Sequence, residues 1–242
     1  MVILSYNIQS GEGFDKKIDL VRLARVITSV SPDVVSLQEV DGKTGRSNGI
    51  DQAQELARLA NLEFVYGPAR EYDGGQYGNA VLTKHAVEKS RCIFLPGEEI
   101  RSALSVTIRM SSGPTANTLF TFIATHLDCY SEKGRIESVP LIESLFESDA
   151  NKPAILAGDM NATPESPTML MLGRTWTNAT SQNNFFTFPA ESPSMQIDYI
   201  LYRPADRWRV TQTRVINDDK ASDHRAIVAV LELLPCLDTK EK

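Results

Sequence analysis

Four short apolar runs each finish on a side chain that can hold a metal or move a proton. VILSY ends in Asn7, VVSLQ in Glu39, FTFIAT in His126, and AILAG in Asp159, with Asn161 close behind. A fifth run, QIDYIL, carries Asp198 within it, and Asp223–His224 stands at the head of the last apolar stretch. Carboxylate and carboxamide oxygens are hard ligands of the kind Mg²⁺ prefers. An imidazole beside a carboxylate is fixed in one tautomer and stabilised when protonated. Any single polar strand end is explained by solvent. Four endings of these types together point to a site beyond the carboxyl ends of a sheet. Asp198 is costly inside an apolar strand unless it is paired. It reads either as a buried structural ion pair or as the carboxylate that orients a histidine. Asp223 and His224 would face opposite ways on a regular strand. In a bend before the strand, both can face one cleft.

The elements that must position these residues show in the hydrophobic pattern. Leu20, Leu23, Ala24 and Ile27 recur with helical spacing and predict a helix over roughly 15 to 31, ended by Ser31–Pro32. A second helix is expected from about 51 to 61, with Leu56, Ala57 and Ala60, ending in Asn61. A third is expected from about 133 to 149, with Leu141, Ile142, Leu145 and Phe146; Pro140 kinks it or marks its first turn. VILSYN, DVVSLQEV, YGNAVLTK, LFTFIATHLD, PAILAGDMN, QIDYILYR and HRAIVAVLEL read as strands. Several are too continuously apolar for a sheet with one wet face. The pattern predicts an α/β sandwich of two mixed sheets covered by helices. Of the three histidines, His85 follows VLTK and is expected at the surface.

With 242 residues, 42% hydrophobic and 23% charged, the chain can bury one core, and 1–242 is read as a single domain. The net charge of -6 argues against a surface that coats nucleic acid, while leaving room for a local basic patch. Cys92, Cys129 and Cys236 lack metal-site or disulfide spacing and read as free thiols of a reducing compartment. MVILSYN reads as a core strand without the basic start of a signal peptide. No stretch is long enough to span a membrane. A cytoplasmic monomer is expected.

In chain order, SYNIQSG, LQEVD, YGNAVLTK, THLD, GDMNA, QIDYIL and SDH resemble the motifs of the endonuclease/exonuclease/phosphatase superfamily. The resemblance implies a deoxyribonuclease-like four-layer α/β sandwich with two packed mixed β-sheets flanked by helices and a site at one end. It implies a divalent-metal-dependent phosphoester hydrolase using Mg²⁺ or Mn²⁺ and in-line attack by water. By the resemblance, Glu39 is the principal metal ligand, Asn7 helps hold the metal or the phosphate, and Asp223 lies near the same metal. Asp159 and Asn161 position the water or leaving group and steady the phosphoryl oxygens. His224 is general base or transition-state stabiliser, with Asp198 as its partner, and His126 contacts the phosphate. Asn79 and Arg101 match supporting, substrate-binding positions.

The substrate is read less directly. THLD stands where repair endonucleases carry a Tyr-x-Pro-Asn-like segment, and it resembles the branch with tyrosyl-DNA phosphodiesterases and sphingomyelinases. Lys43 and Arg46, in a Gly-rich loop after Glu39, reach a phosphate or head group, or are simply solvated. Tyr72 and Tyr77, in a second rim loop, stack on a base or merely pack. The expected partner is a phosphoester: nucleic acid, nucleotide or phosphorylated head group. A phosphodiesterase or nuclease-like enzyme is the leading reading. A phosphatase or phospholipase-type hydrolase of inositol or lipid head groups is the alternative, and a non-catalytic binding domain on the same fold is the rival of another class.

Overall fold

The computed structural model describes residues 1–111, 115–146, 152–180 and 185–235. In chain order the elements are β1 (Val2–Asn7), α1 (Leu20–Thr28), β2 (Val34–Gly42), α2 (Gln52–Ala60), β3 (Glu63–Tyr72), β4 (Gly75–Thr83), β5 (Ala86–Leu95) and β6 (Arg101–Arg109). They continue as β7 (Leu119–His126), α3 (Glu132–Glu143), β8 (Ala154–Asp159), α4 (Pro167–Leu172), β9 (Thr177–Asn178), β10 (Asp198–Arg203), β11 (Trp208–Val215) and β12 (Ile227–Leu233). Two six-stranded sheets result, ordered β11-β12-β1-β2-β4-β3 and β5-β6-β7-β8-β10-β9.

Three apolar clusters define four layers. Phe122, Leu104, Val106, Ile155, Ile3 and Ala229 fill the space between the sheets. Leu23, Ile27 and Leu56 of α1 and α2 cover the outer face of the first sheet. Val139, Ile142, Met169 and Leu172 of α3 and α4 cover the second. Both faces of the central strands are therefore dry, which is why they read as continuous apolar runs.

The helices start where their caps dictate. Asp19, Asp51, Ser131 and Ser166 each accept a hydrogen bond from a first-turn backbone N–H. Helix α1 is shorter than its expected span because Asp19 fixes its first turn. Asn61 caps α2 in the left-handed conformation. Pro140 lies inside α3 rather than at its start, and α3 ends at Glu143. The expected continuation over 147–149 falls outside the described residues, as does Cys236.

Strand direction gathers the polar residues at one end. β1 and β2 are parallel, and so are β7 and β8, so Asn7, Glu39, His126 and Asp159 come to the same edge of the sandwich. β10 runs antiparallel to β8 with Asp198 opposite Asp159, and β12 runs antiparallel to β1. The starts of those two strands therefore lie at that edge too. A polar group also crosses between the sheets: Ser36 Oγ on β2 donates to Ala157 O on β8 at 3.0 Å, and Gln38 of the same strand donates from Nε2 to Ser36 Oγ at 2.7 Å.

The inter-sheet cluster carries the stability of this frame. Phe122→Ala, at a fully buried position, is expected to cost about 3–5 kcal/mol. Urea unfolding of the two proteins would measure it as a lower midpoint at unchanged slope.

Candidate active site

Each site residue is placed by a local feature of the chain. β2 breaks its register against β4 between Leu37 and Val40, so Gln38 and Glu39 together face Asn79. Glu39 takes a left-handed backbone conformation, φ 58, at this bulge. A bulge re-aims a side chain that regular alternation would send elsewhere. Asn161 also has positive φ, which asparagine tolerates. Gly158, beside Asp159, packs so closely that a Cβ there would meet Thr125 O at 1.9 Å. Only glycine allows β8 to approach β7 this way and deliver Asp159 next to His126.

Asp198 is the first residue of β10 rather than an interior one. Asp223 and His224 lie in the bend before β12, which begins only at Ile227. Strand alternation therefore does not constrain the pair.

Asp159 is the centre of the arrangement. Its Oδ2 accepts from Asn7 Nδ2 at 3.1 Å and lies 3.5 Å from His126 Nε2 and 3.7 Å from His224 Nε2. Its Oδ1 accepts from the Asn161 backbone N–H at 2.9 Å. Asn7 Nδ2 also donates to Glu39 Oε1 at 3.1 Å, while Asn7 Oδ1 accepts from Gln9 N. Asn7 thus bridges two carboxylates from different sheets. His224 Nδ1 meets Asp198 Oδ2 at 2.9 Å, and Thr187 Oγ1 donates to the same oxygen at 2.5 Å. Phe188 packs on the His224 ring, with centroids 4.8 Å apart. Asp198 Oδ1 is buried without a hydrogen-bond partner.

The two histidines sit in opposite fields. Burial disfavours charge on His224, yet Asp198 and Asp159 outweigh it and hold the ring up at about 10, so it is an imidazolium at neutral pH. Burial and then the Arg101 guanidinium push His126 well below its ordinary value, so it is neutral. Burial, reinforced by Asp198, raises Asp159 above the usual carboxylate range against the pull of His224. Burial also raises Glu39; its hydrogen bond from Asn7 opposes this, and Asp223 adds to it.

The donor set fits a hard divalent cation. Among the described residues neither Glu39 nor Asp223 has a basic ion-pair partner, and their mutual repulsion is relieved by added positive charge. The ligand atoms of Asp159, Asp198 and His224 also lie within 4.8 Å of one another, so this buried trio could hold a metal. A cation bound through His224 Nδ1 would displace its bond to Asp198.

The expected substrate-binding residues are more committed than the sequence suggested. Arg46 is locked on Asp41 by two bonds, Nε to Oδ2 at 2.8 Å and Nη2 to Oδ1 at 2.7 Å. Its guanidinium lies 4.5 Å over the Tyr72 ring. Arg101 is buried, pairs with Glu99 at 2.6 Å, and reaches Tyr77 Oη at 3.2 Å and His126 Nδ1 at 3.3 Å. Asn79 Nδ2 donates to Ser102 O and Oγ, and its Oδ1 is buried without a partner.

Two expectations need correction. The rim segment with Tyr72 and Tyr77 is the β3–β4 hairpin, turned at Asp73–Gly74, and Tyr77 is buried rather than free to stack. His85 is buried, not at the surface, because Ser111 closes over its ring with Nδ1 2.7 Å from Ser111 Oγ. Asp128 of THLD accepts the backbone N–H groups of Glu98 and Tyr130 and so pins the loop after β7. Thr187, Phe188 and Glu99 escaped sequence reading, and Ser222 entered it only as part of the SDH motif.

The endonuclease/exonuclease/phosphatase family pattern matches residues 4–224. The chain belongs to this family. That span holds every residue of the site from Asn7 to His224. The uncharacterised protein YbhP of Escherichia coli strain K12 is 26% identical over 246 residues, covering 96% of each chain. An endonuclease/exonuclease/phosphatase structure from Beutenbergia cavernae superposes with a TM-score of 0.76 at 24% identity, over 96% of this chain and 71% of that one. A functionally unknown protein of Enterococcus faecalis gives 0.79 at 22%, over 97% and 100%. The two-sheet sandwich is thus the family's fold. No helix among the described residues is long and apolar enough to cross a membrane.

The His224–Asp198 pair makes a pH prediction for the metal-free protein. Because folding raises His224, the pair's stabilisation is full below the ordinary value of 6.5 and is lost as pH rises through about 10. Asp198→Asn removes the carboxylate charge, so the His224 titration followed by NMR should move down in pH. An unmoved titration would mean that Asp198 does not hold the proton there.

Proposed function

We propose that the chain is a divalent-metal-dependent hydrolase of phosphoesters that uses water as nucleophile. The observation that carries this reading is the buried triad of Asp159, His224 and Asp198, set beside the Glu39–Asn7 pair at one end of the sheets. Family members are generally phosphoester hydrolases, and no expected chemical residue is missing, which favours catalysis over a binding-only role. Glu39 and Asp223, with Asn7 beside them, would hold Mg²⁺ or Mn²⁺, which would neutralise charge on the phosphate.

The chain's own groups then divide the work. Asp159, with its raised proton affinity, is suited to accept a proton from water near neutral pH. His224, cationic and oriented by Asp198, donates from Nε2 toward charge building on the phosphoryl oxygens. Neutral His126 contacts the same oxygens, its ring fixed by Asn161, whose Nδ2 lies 3.0 Å from His126 Nε2 and also donates to Leu127 O at 3.0 Å. Arg101 positions His126 from behind. The THLD sequence supports a place in the branch with tyrosyl-DNA phosphodiesterases and sphingomyelinases. The site draws on both Asn7 and His224, which supports reading 1–242 as one domain.

The test is turnover on a panel of nucleic acids, phosphomonoesters, phosphodiesters and phospholipids with Mg²⁺, Mn²⁺ or EDTA. EDTA is expected to abolish turnover. His224→Ala should lower kcat by about 100-fold or more, and Glu39→Ala should weaken activation by the metal. Turnover that survives EDTA or both substitutions would remove the proposed mechanism.

A further inference from the structure

Beside the catalytic centre lies a cavity of about 210 Å³ that the chemistry above does not use. Ser222 and Asp223 line it, so it opens directly off the proposed metal side of the site. Gln9, Phe14, Lys16, Pro189, Ala190, Glu191 and Asp219 complete its lining. We propose that it seats the alcohol portion of the substrate, and that this portion is a compact, uncharged, hydroxyl-bearing ring. The inference rests on the phosphoester-hydrolase reading and names its substrate class.

Three observations carry it. The first is rigidity and continuity. Ala190 N donates to Asp223 O at 2.7 Å, Arg225 Nε donates to Ala190 O at 2.7 Å, and Ser222 Oγ donates to Asn7 O at 2.7 Å. Phe188, next to Pro189, packs on His224. One continuous segment thus orients the catalytic histidine and forms the cavity wall, so a group bound there is held in register with the phosphorus.

The second observation is size. Clefts for drug-sized ligands run from about 300 to 1,000 Å³. The cavity is smaller, and suits a single ring rather than a stretch of polymer.

The third is chemistry. Phe14 is 54% exposed and offers an aromatic face, with the Lys220 ammonium 5.5 Å from its ring centroid. Around it stand the carboxylates of Glu191, Asp219 and Asp223, while both nearby ammoniums are paired, Lys16 with Glu12 at 3.0 Å and Lys220 with Asp219 at 3.4 Å. An acidic lining repels a second phosphate or a carboxylate. It accepts hydrogen bonds from hydroxyls, while the aromatic face packs against the C–H side of a saturated ring.

The test compares glucose 6-phosphate with glycerol 3-phosphate, and the methyl diesters of both, by kcat/KM. Each pair shares an alkoxide leaving group and differs in the ring. The wild type is expected to favour the ring-bearing ester. Phe14→Ala should cut the ring-to-glycerol ratio about tenfold, and Glu191→Ala should lower it too. Phe14 is half exposed, so the variant is expected to fold, and its unchanged circular dichroism would check this. Equal turnover of ring and glycerol esters, a ratio insensitive to both variants, or a tenfold preference for adenosine 5′-monophosphate over glucose 6-phosphate would overturn this inference alone. Turnover of no ester at all would overturn the hydrolase reading with it.

Discussion

The structure turns on one buried carboxylate. Asp159 receives Asn7 from the first sheet, faces His126 from the second, and meets His224 from the bend before β12. With Asp198 nearby, two carboxylates share a water-poor space. Unit charges 4 Å apart interact by about 4 kcal/mol at an effective dielectric of about 20. Repulsion of that size would force one carboxylate to bind a proton or the sheets to part. The His224 imidazolium offsets it because it lies against both. The proton inventory of the site is one cationic histidine, one neutral histidine, and two carboxylates, Asp159 and Glu39, with raised proton affinity.

Polar bridges between the sheets follow from this constraint. Asn7 to Asp159, Ser36 to Ala157 and Asn79 to Ser102 each join a strand of one sheet to a strand of the other. Elsewhere the space between the sheets is filled by aliphatic and aromatic side chains, which are indifferent to small slips. Directional bonds at the site end hold the relative position of the sheets to within the length of a hydrogen bond. A group that needs its neighbour at 2.9 Å cannot be served by apolar packing alone.

Much of this was legible in the sequence because the site residues terminate apolar runs, and run ends are where strand direction delivers side chains. Asn7, Glu39, His126 and Asp159 could be grouped on that basis, and the cost of burying an aspartate marked Asp198 as paired, while only the family resemblance named His224 as its partner. Other features depended on contacts that no local pattern encodes. The bulge that aims Glu39 has no glycine to announce it. β5 is exposed along most of its length, so it lacks the apolar signature of its neighbours. Tyr77 and His85 carry polar tips and stand near turns, yet tertiary partners, Arg101 and Ser111, make their burial tolerable. Arg46 looked free because its partner Asp41 is on the strand beside it and reads as just another loop acid.

The charges around the centre are arranged asymmetrically, and this bears on what can approach it. On the hairpin side Arg46, Arg70 and Arg101 gather around Tyr72 and Tyr77. Asp41 and Glu99 bind them at 2.5 to 2.7 Å, leaving little of their charge for a ligand. On the opposite side the cavity next to Asp223 carries the carboxylates of Glu191 and Asp219 as well, against the ammonium of Lys16. A nucleic-acid backbone needs a continuous track of unpaired cations, whose displaced counterions drive the association. Neither flank provides one, and the net charge of -6 opposes it at longer range. Positive charge is concentrated instead in the His224 imidazolium at the centre of the site. Recognition centred on one phosphate, with an uncharged remainder, is the arrangement that this distribution of charge favours.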